Sequence, residues 1–190
     1  MIYQKEDYDG SLIHQRFAYK ILKKNISQYP LGYLHITRGI MNVTDNLIDL
    51  EDKLNKDFIY SDDALNFCWE IPNMNPIGAV FFQRLFVQEI AELLRSKAYG
   101  NYDVEVWGDD LMIKSKGMET FGKASVSITK VTDGVALGHL GINISAGSKA
   151  PDFAFSLFLD ENMTQSLASR ISVIFYDILA DCFIATTKVI

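Results

Sequence analysis

WGDDLMIKSKGMETFGKASVSI, Trp107 to Ile128, is the stretch whose reading decides the fold. Two adjacent acids precede a short apolar run, Leu111–Ile113; a turn-rich KSKGMET follows, and a lysine opens the next run. From Lys123 onward polar and apolar residues alternate, and a period of two is the signature of strands, whose successive side chains point to opposite faces. Tyr102–Trp107 supplies strand material upstream to pair with Leu111–Ile113. Downstream, Lys123–Val131 and Val135–Ser145 are separated by TDG, and Asp-Gly between alternating runs is a strong hairpin signal. DFAFSLFLD is expected to add an edge segment.

The rest of the chain surrounds these strands. Residues 11–28 mix apolar and basic positions and fit either a strand or a short helix. LGYLHITRGI follows Pro30 and reads as a strand. In TDNLIDLEDKLNK, Thr44 or Asp45 is the candidate N-cap and Leu47, Leu50 and Leu54 recur at helical spacing, predicting a short amphipathic helix. ALNFCWEIP predicts a buried strand that stops at Pro72. The spacing of Phe82, Phe86, Val87, Ile90, Leu93 and Leu94 predicts a long helix from about 77 to 97 with Arg84, Gln88, Glu92 and Arg95 on its outer arc. Phe81 and Leu85 break that arc and suggest a second contact, with a homodimer as one candidate. A final helix over about 163–185 carries Leu167, Ile171, Ile174 and Ile178 on one stripe. The expectation is one α/β (α+β) domain over 1–190: a mostly antiparallel or mixed sheet with helices packed on one face.

Composition narrows the function classes. The 190 residues are 48% hydrophobic and 22% charged, which suits an ordinary globular domain. A net charge of −6, with no basic run, argues against wide contact with nucleic acid, whose phosphates demand many Lys and Arg. Lys20, Lys23 and Lys24 read as a solvated face. Cys68 and Cys182, each flanked by apolar residues, are expected to be buried thiols. The polar, acidic start lacks the apolar centre of a secretory leader and no run is long enough for a bilayer, so a cytoplasmic location without membrane attachment is expected. Neither a GxxxxGK[ST] nor a GxGxxG loop is present, and the serines lack a nucleophile-elbow context.

The alternation sorts the polar residues into a candidate site. Lys123, Ser125, Ser127 and Thr129 fall on one side of their strand; His139, Gly141 and Asn143 share a side of the next. If the apolar sides meet the helices, Lys123, His139 and Asn143 share the other face, and Gly138 and Gly141 leave room for a ligand or another backbone. That face is either ordinary solvent-facing sheet or the floor of a site. Asp109 and Asp110 are either turn residues or hard oxygen ligands for Mg2+. Asp49, Glu51 and Asp52 are either metal ligands or a solvated acidic face, and His14 and His35 have no partner at ligand spacing.

CWEIPNMNPIGAVFFQRLFVQEIAEL, then VEVWGDDLMI, GKASVSI and HLGINIS, together resemble the catalytic domain of the biotin and lipoate protein ligases, over about Phe67 to Ser145. The whole chain, with RGIMN, IDLED and GHLGIN, is also similar to an uncharacterised prokaryotic family, a domain of unknown function with that ligase-like fold. The resemblance implies a small carboxylate or acyl group as ligand, with ATP and Mg2+ as cofactors. It implies Lys123 as the cation that meets carboxylate and phosphate, where negative charge builds in an acyl-adenylate reaction. Asp110, with Asp109 beside it, would hold the metal, and Asn143 would lie near the phosphates. His139, Gly141 and Ser125 fall at the remaining cofactor-facing positions, His139 standing where the family has a glycine. Arg38, in HITRGIMNVTDN, would supply a guanidinium fork in place of the family's longer arginine- and glycine-rich loop. An adenylate-forming ligase or acyltransferase and an inactive small-ligand-binding module of the same fold are the two functions left open.

Overall fold

Asp133 and Gly134 both take positive φ, 51° and 74°, the backbone required by a two-residue hairpin loop whose twist matches its strands. This turn joins β7 (Ser125–Thr132) to β8 (Val135–Ser145) and fixes their register, Thr132 opposite Val135. The computed structural model describes residues 2–189, at position 24 the backbone alone. Around the hairpin a five-stranded sheet runs in the order β1-β2-β3-β8-β7, where β1 is Gln4–Lys5, β2 Tyr33–Val43 and β3 Ile59–Pro72. Within this sheet β1 pairs with β2 in parallel, and β2, β3, β8 and β7 pair antiparallel. A second, three-stranded sheet is β4 (Tyr102–Trp107), β5 (Asp110–Ser115) and β6 (Gly122–Lys123). The quoted stretch therefore spans both sheets, crossing between them at Ala124, which lies outside either strand.

The long helices pack on one face of the larger sheet. In α3 (Pro76–Arg95) the six predicted apolar residues are all buried, while Phe81 and Leu85 are exposed as the pattern implied. Asn75 caps α3 by accepting from the Gly78 N–H, and Pro76 opens the helix where its missing N–H costs nothing. In α4 (Glu161–Thr186) Leu167 and Ile171 are buried; Ile174 and Ile178 are only partly so, and Phe175 and Leu179 complete the inward face. Both helices share one core with Leu34, Ile36, Phe67, Trp69, Leu140 and Ile142.

The other face is not bare. Residues 11–28 form neither a strand nor one helix but two 3-10 turns, Ser11–His14 and Lys23–Gln28, flanking α1 (Ala18–Leu22). Ile13, Phe17 and Ala18 pack there with Tyr8, Tyr33, Met41, Cys68 and Leu137 in a second core. Buried Glu70 fastens this cover: it accepts from the Phe17 and Ala18 N–H groups and pairs with Arg16 at 2.5 Å.

Three local expectations need correction. α2 is shorter than its leucine spacing suggested, Leu50–Asn55, and Asp49 is the cap in place of Thr44 or Asp45. Leu47 is buried ahead of the helix while Leu50 and Leu54 face solvent, so the stripe was not a packing face. Cys182 is exposed because it sits near the C-terminal end of α4, past the last buried turn; Cys68 is buried as expected. DFAFSLFLD forms only a bridge, Lys123 to Ala154, with Leu157 and Phe158 N–H groups donating to Asn143 and Ile144. Lys20 and Lys23 are exposed, and the Lys24 side chain lies outside the described residues.

Candidate functional site

Cross-strand register assigns the side chains to faces. Trp69 and Phe67 of β3 stand opposite Gly138 and Leu140 on the helix face, whereas Cys68 and Asn66 stand opposite His139 and Gly141 on the second face. Continuing to β7, Ile128 lies opposite His139 and Val126 opposite Gly141. The serines therefore alternate the other way from the expectation. Ser125 and Ser127 turn towards α3 and β5: the Ser125 hydroxyl accepts from the Leu111 N–H at 2.9 Å and that of Ser127 from Gln83 at 2.8 Å. The apolar Val126 and Ile128 of β7 face the second side, packed against the second core, so polarity did not mark the outward face of this strand.

A cavity of about 700 Å³ opens on this second face. Its floor includes Val126, Ile128, His139 and Asn143, one wall is Lys123 with Asp109 and Asp110, and its rim carries Asp49, Glu51, Asp52, Asp57, Phe58 and Phe153. Lys123 reaches it because β6 ends at that residue and the chain crosses between sheets at Ala124. Asp109 and Asp110 line the same wall but answer to different cations. Asp110 Oδ2 lies 2.9 Å from Lys123 Nζ, while Asp109 accepts from Gln83 at 2.9 Å and meets Arg84 at 2.6 Å, an ion contact rather than an aligned hydrogen bond. Their divergence follows from the two-residue loop Gly108–Asp109, with Gly108 at φ 68°, which puts Asp109 on the turn and Asp110 on the strand. Burial raises the Asp110 pKa above the ordinary carboxylate value, against the lowering pull of Lys123.

His139 is a packed, neutral imidazole. Its Nε2 lies 3.0 Å from Asn66 Oδ1, Tyr8 stacks on the ring at 3.9 Å between centroids, and burial lowers its pKa to about 3. Gly141 admits no ligand: a side chain there would meet the Met41 sulfur at 2.7 Å. Gly138 is needed on the opposite face, where a Cβ would fall inside the Trp69 indole. Both glycines thus serve packing, which the sequence could not distinguish from ligand room.

Arg38 is not brought to the cavity. It lies opposite Leu65 on the helix face, forked onto Asp63 (2.7–3.2 Å) and bonded to Glu161 (2.8 Å) and Tyr3 (3.2 Å). Residues the sequence did not single out complete the site: Tyr8, Asn66, Asp57 and Phe58, together with Gln83 and Arg84 from α3. Only Arg84, on a predicted outer arc directly facing the acidic turn, left a recognisable signal. Among the described residues no group of three or more His, Cys, Asp or Glu is arranged to hold a metal ion.

With this geometry in view, the family model for a domain of unknown function, DUF366, matches residues 1–190. The chain belongs to the DUF366 family. No curated protein matches it. A solved protein of unknown function from Pyrococcus horikoshi superposes with a TM-score of 0.81 at 24% identity, covering 98% of this chain and 94% of that one. A biotin protein ligase from Aquifex aeolicus, in complex with biotin and ATP, gives 0.53 at 13% identity over 94% and 71%. A bi-partite lipoate protein ligase from Thermoplasma acidophilum gives 0.52 at 12% over 92% and 84%. This DUF366 chain therefore has the biotin/lipoate protein ligase-like α/β fold. Among its described residues no helix is long and apolar enough to cross a membrane.

Proposed function

We propose that this DUF366 chain is a small-ligand-binding module on the ligase-like fold, and that the anionic end of a small carboxylate meets Lys123 in the cavity. The observation that carries this reading is the charge of the lining: one lysine against Asp49, Glu51, Asp52, Asp57, Asp109 and Asp110. A single carboxylate can replace Asp110 as the partner of Lys123, and burial, which raises the Asp110 pKa, already works against the charged form of the present partner. A triphosphate brings several negative charges and asks for as many cations, but Arg38 is spent on the opposite face and Arg84 on Asp109. The residues present do not fit bare ATP. Nor do Asp109 and Asp110, each paired with its own cation, form a donor set for Mg2+.

A second reading, adenylate-forming transfer of the carboxylate, is favoured by the place of Lys123 on its short strand at the cavity wall, where a cation would face developing negative charge. Calorimetric titration of biotin, lipoate and short fatty acids, and separately of Mg–ATP, into wild type and Lys123→Ala tests both. Carboxylate binding lost in the variant, with Mg–ATP silent, is the expected result. Saturable Mg–ATP binding with carboxylate-dependent pyrophosphate release would move the assignment to the ligase. Carboxylate binding indifferent to Lys123→Ala would overturn the first reading.

A further inference from the structure

The cavity is larger than a carboxyl group needs, and its rim is negatively charged without compensation. Asp49, Glu51, Asp52 and Asp57 border it, and none of the four takes part in an ion pair among the described residues. Part of this has a local cause. Asp49 accepts from the Glu51 and Asp52 N–H groups as the N-cap of α2, and acids in a first helical turn are favoured by the helix dipole. Capping does not explain Asp57, which lies beyond the helix yet borders the same space. Burial raises the Asp52 pKa, with repulsion from Asp49 and Asp57 adding to it and Lys123 opposing it, so the rim acids and the lysine sense one another across the cavity.

A second feature inside the cavity points to a ligand. Asn143 is only 5% exposed and lines the space beside Lys123. Its amide nitrogen lies 3.5 Å from the Lys123 carbonyl, the outer limit of a hydrogen bond, and among the described residues the amide donates no other, so an N–H is left that a carboxylate can accept. An amide held by one limiting bond in a cavity wall has a donor to offer a ligand. The same cavity offers apolar surface, Val126 and Ile128 on the floor and Phe58 on the rim.

We propose that the occupant is a zwitterionic amino-carboxylate, its carboxylate at Lys123 and Asn143, its short carbon chain along Val126, Ile128 and Phe58, and its ammonium between Asp52 and Asp57. This rests on the small-carboxylate reading above and adds the cationic end. It separates this cavity from one suited to a carboxylate with an uncharged tail.

The test is calorimetry on the full chain with matched probes: γ-aminobutyrate, butyrate and n-butylamine, then ε-aminocaproate, caproate and n-hexylamine. Each is titrated into wild type, Asp52→Asn/Asp57→Asn and Lys123→Ala, with circular dichroism to confirm folding. One amino-carboxylate should bind at least about tenfold more tightly than its singly charged analogues. That advantage should disappear in the isosteric double Asn variant, and added salt should weaken it. If butyrate or caproate binds as tightly as its amino counterpart, the cationic end is wrong while the carboxylate reading stands. If the amine alone matches the amino-carboxylate, the Lys123 end is wrong and the carboxylate reading falls with it. Silence from every carboxylate overturns both readings.

Discussion

One pair of strands, β3 and β8, builds both faces of this sheet, and the two faces are made differently. On the helix side Trp69 and Phe175 each meet Phe82 and Phe86 edge-on, Phe82 stacks with Phe86, and Phe67, Leu140 and Ile142 share the same apolar core. On the other side Asn66, Cys68 and His139 are covered by Tyr8 and the short helical turns of residues 11–28, and the covering stops short, leaving the cavity. The dry face is determined mainly by volume, the buried Trp69 Nε1 being its one polar atom without a partner among the described residues. A face that mixes buried polar groups with a partial cover must satisfy each hydrogen bond individually, and the unsatisfied remainder is where a ligand can bind.

The sharpest way to break this comparison is to overfill the dry face. Gly138→Ala would drive a methyl into the Trp69 indole, which is wholly buried and cannot retreat, so a loss of about 3 kcal/mol or more is expected in a urea midpoint. An unchanged midpoint would show that the aromatic core is looser than its geometry.

Next in size is the acid sensitivity of the polar face. His139 holds a pKa of about 3 against an ordinary 6.5, so the unfolded chain binds the extra proton between those values and folded stability should fall as pH drops through that window. Its buried neighbours Tyr8 and Cys68 have raised pKa values, stay neutral there and offer no compensating charge. A loss of a few kcal/mol is expected across the interval, read as the excess pH slope of wild type over His139→Gln. Equal slopes would mean that the ring opens to solvent.

Glu70→Gln weakens the fastening of the cover, since the acceptor of the Phe17 and Ala18 N–H groups loses its charge and Arg16 its partner. About 2 kcal/mol is expected, with faster amide exchange confined to residues 11–28. Exchange that quickens evenly over the whole chain would deny that the cover is a separable unit. The smallest effect is reserved for Gly141→Ala, near 1 kcal/mol, because the atom it strikes is the flexible end of Met41. A cost equal to that of Gly138→Ala would erase the distinction between the faces.

Much of the helix face was legible in advance. The apolar spacing of α3, the stop at Pro72 and the Asp-Gly turn each express a rule acting within a few residues, and each appears as the pattern implied. The site was legible only in pieces. Lys123, Asp109, Asp110, Ser125, His139 and Asn143 do border one cavity, but the hydroxyls of Ser125 and Ser127 are engaged by Leu111 and Gln83, Gly141 is filled by Met41, and Arg38 serves an ion-pair cluster with Asp63 and Glu161. In β7, alternation distinguishes two faces without saying which one meets the helices.

By itself, then, the sequence determined the two long helices, the central strands, the Asp-Gly hairpin and the helix-facing core, because periodicity and turn chemistry are local and the hydrophobic effect acts on every apolar side chain alike. The tertiary structure alone decided that residues 11–28 cover the second face, that the chain changes sheets at Ala124 to deliver Lys123, and that Asp57 joins the rim of the same cavity. Those outcomes depend on which distant segments meet. Charge pairing and hydrogen-bond satisfaction depend on distance in space, and the chain acquires those distances only when it folds.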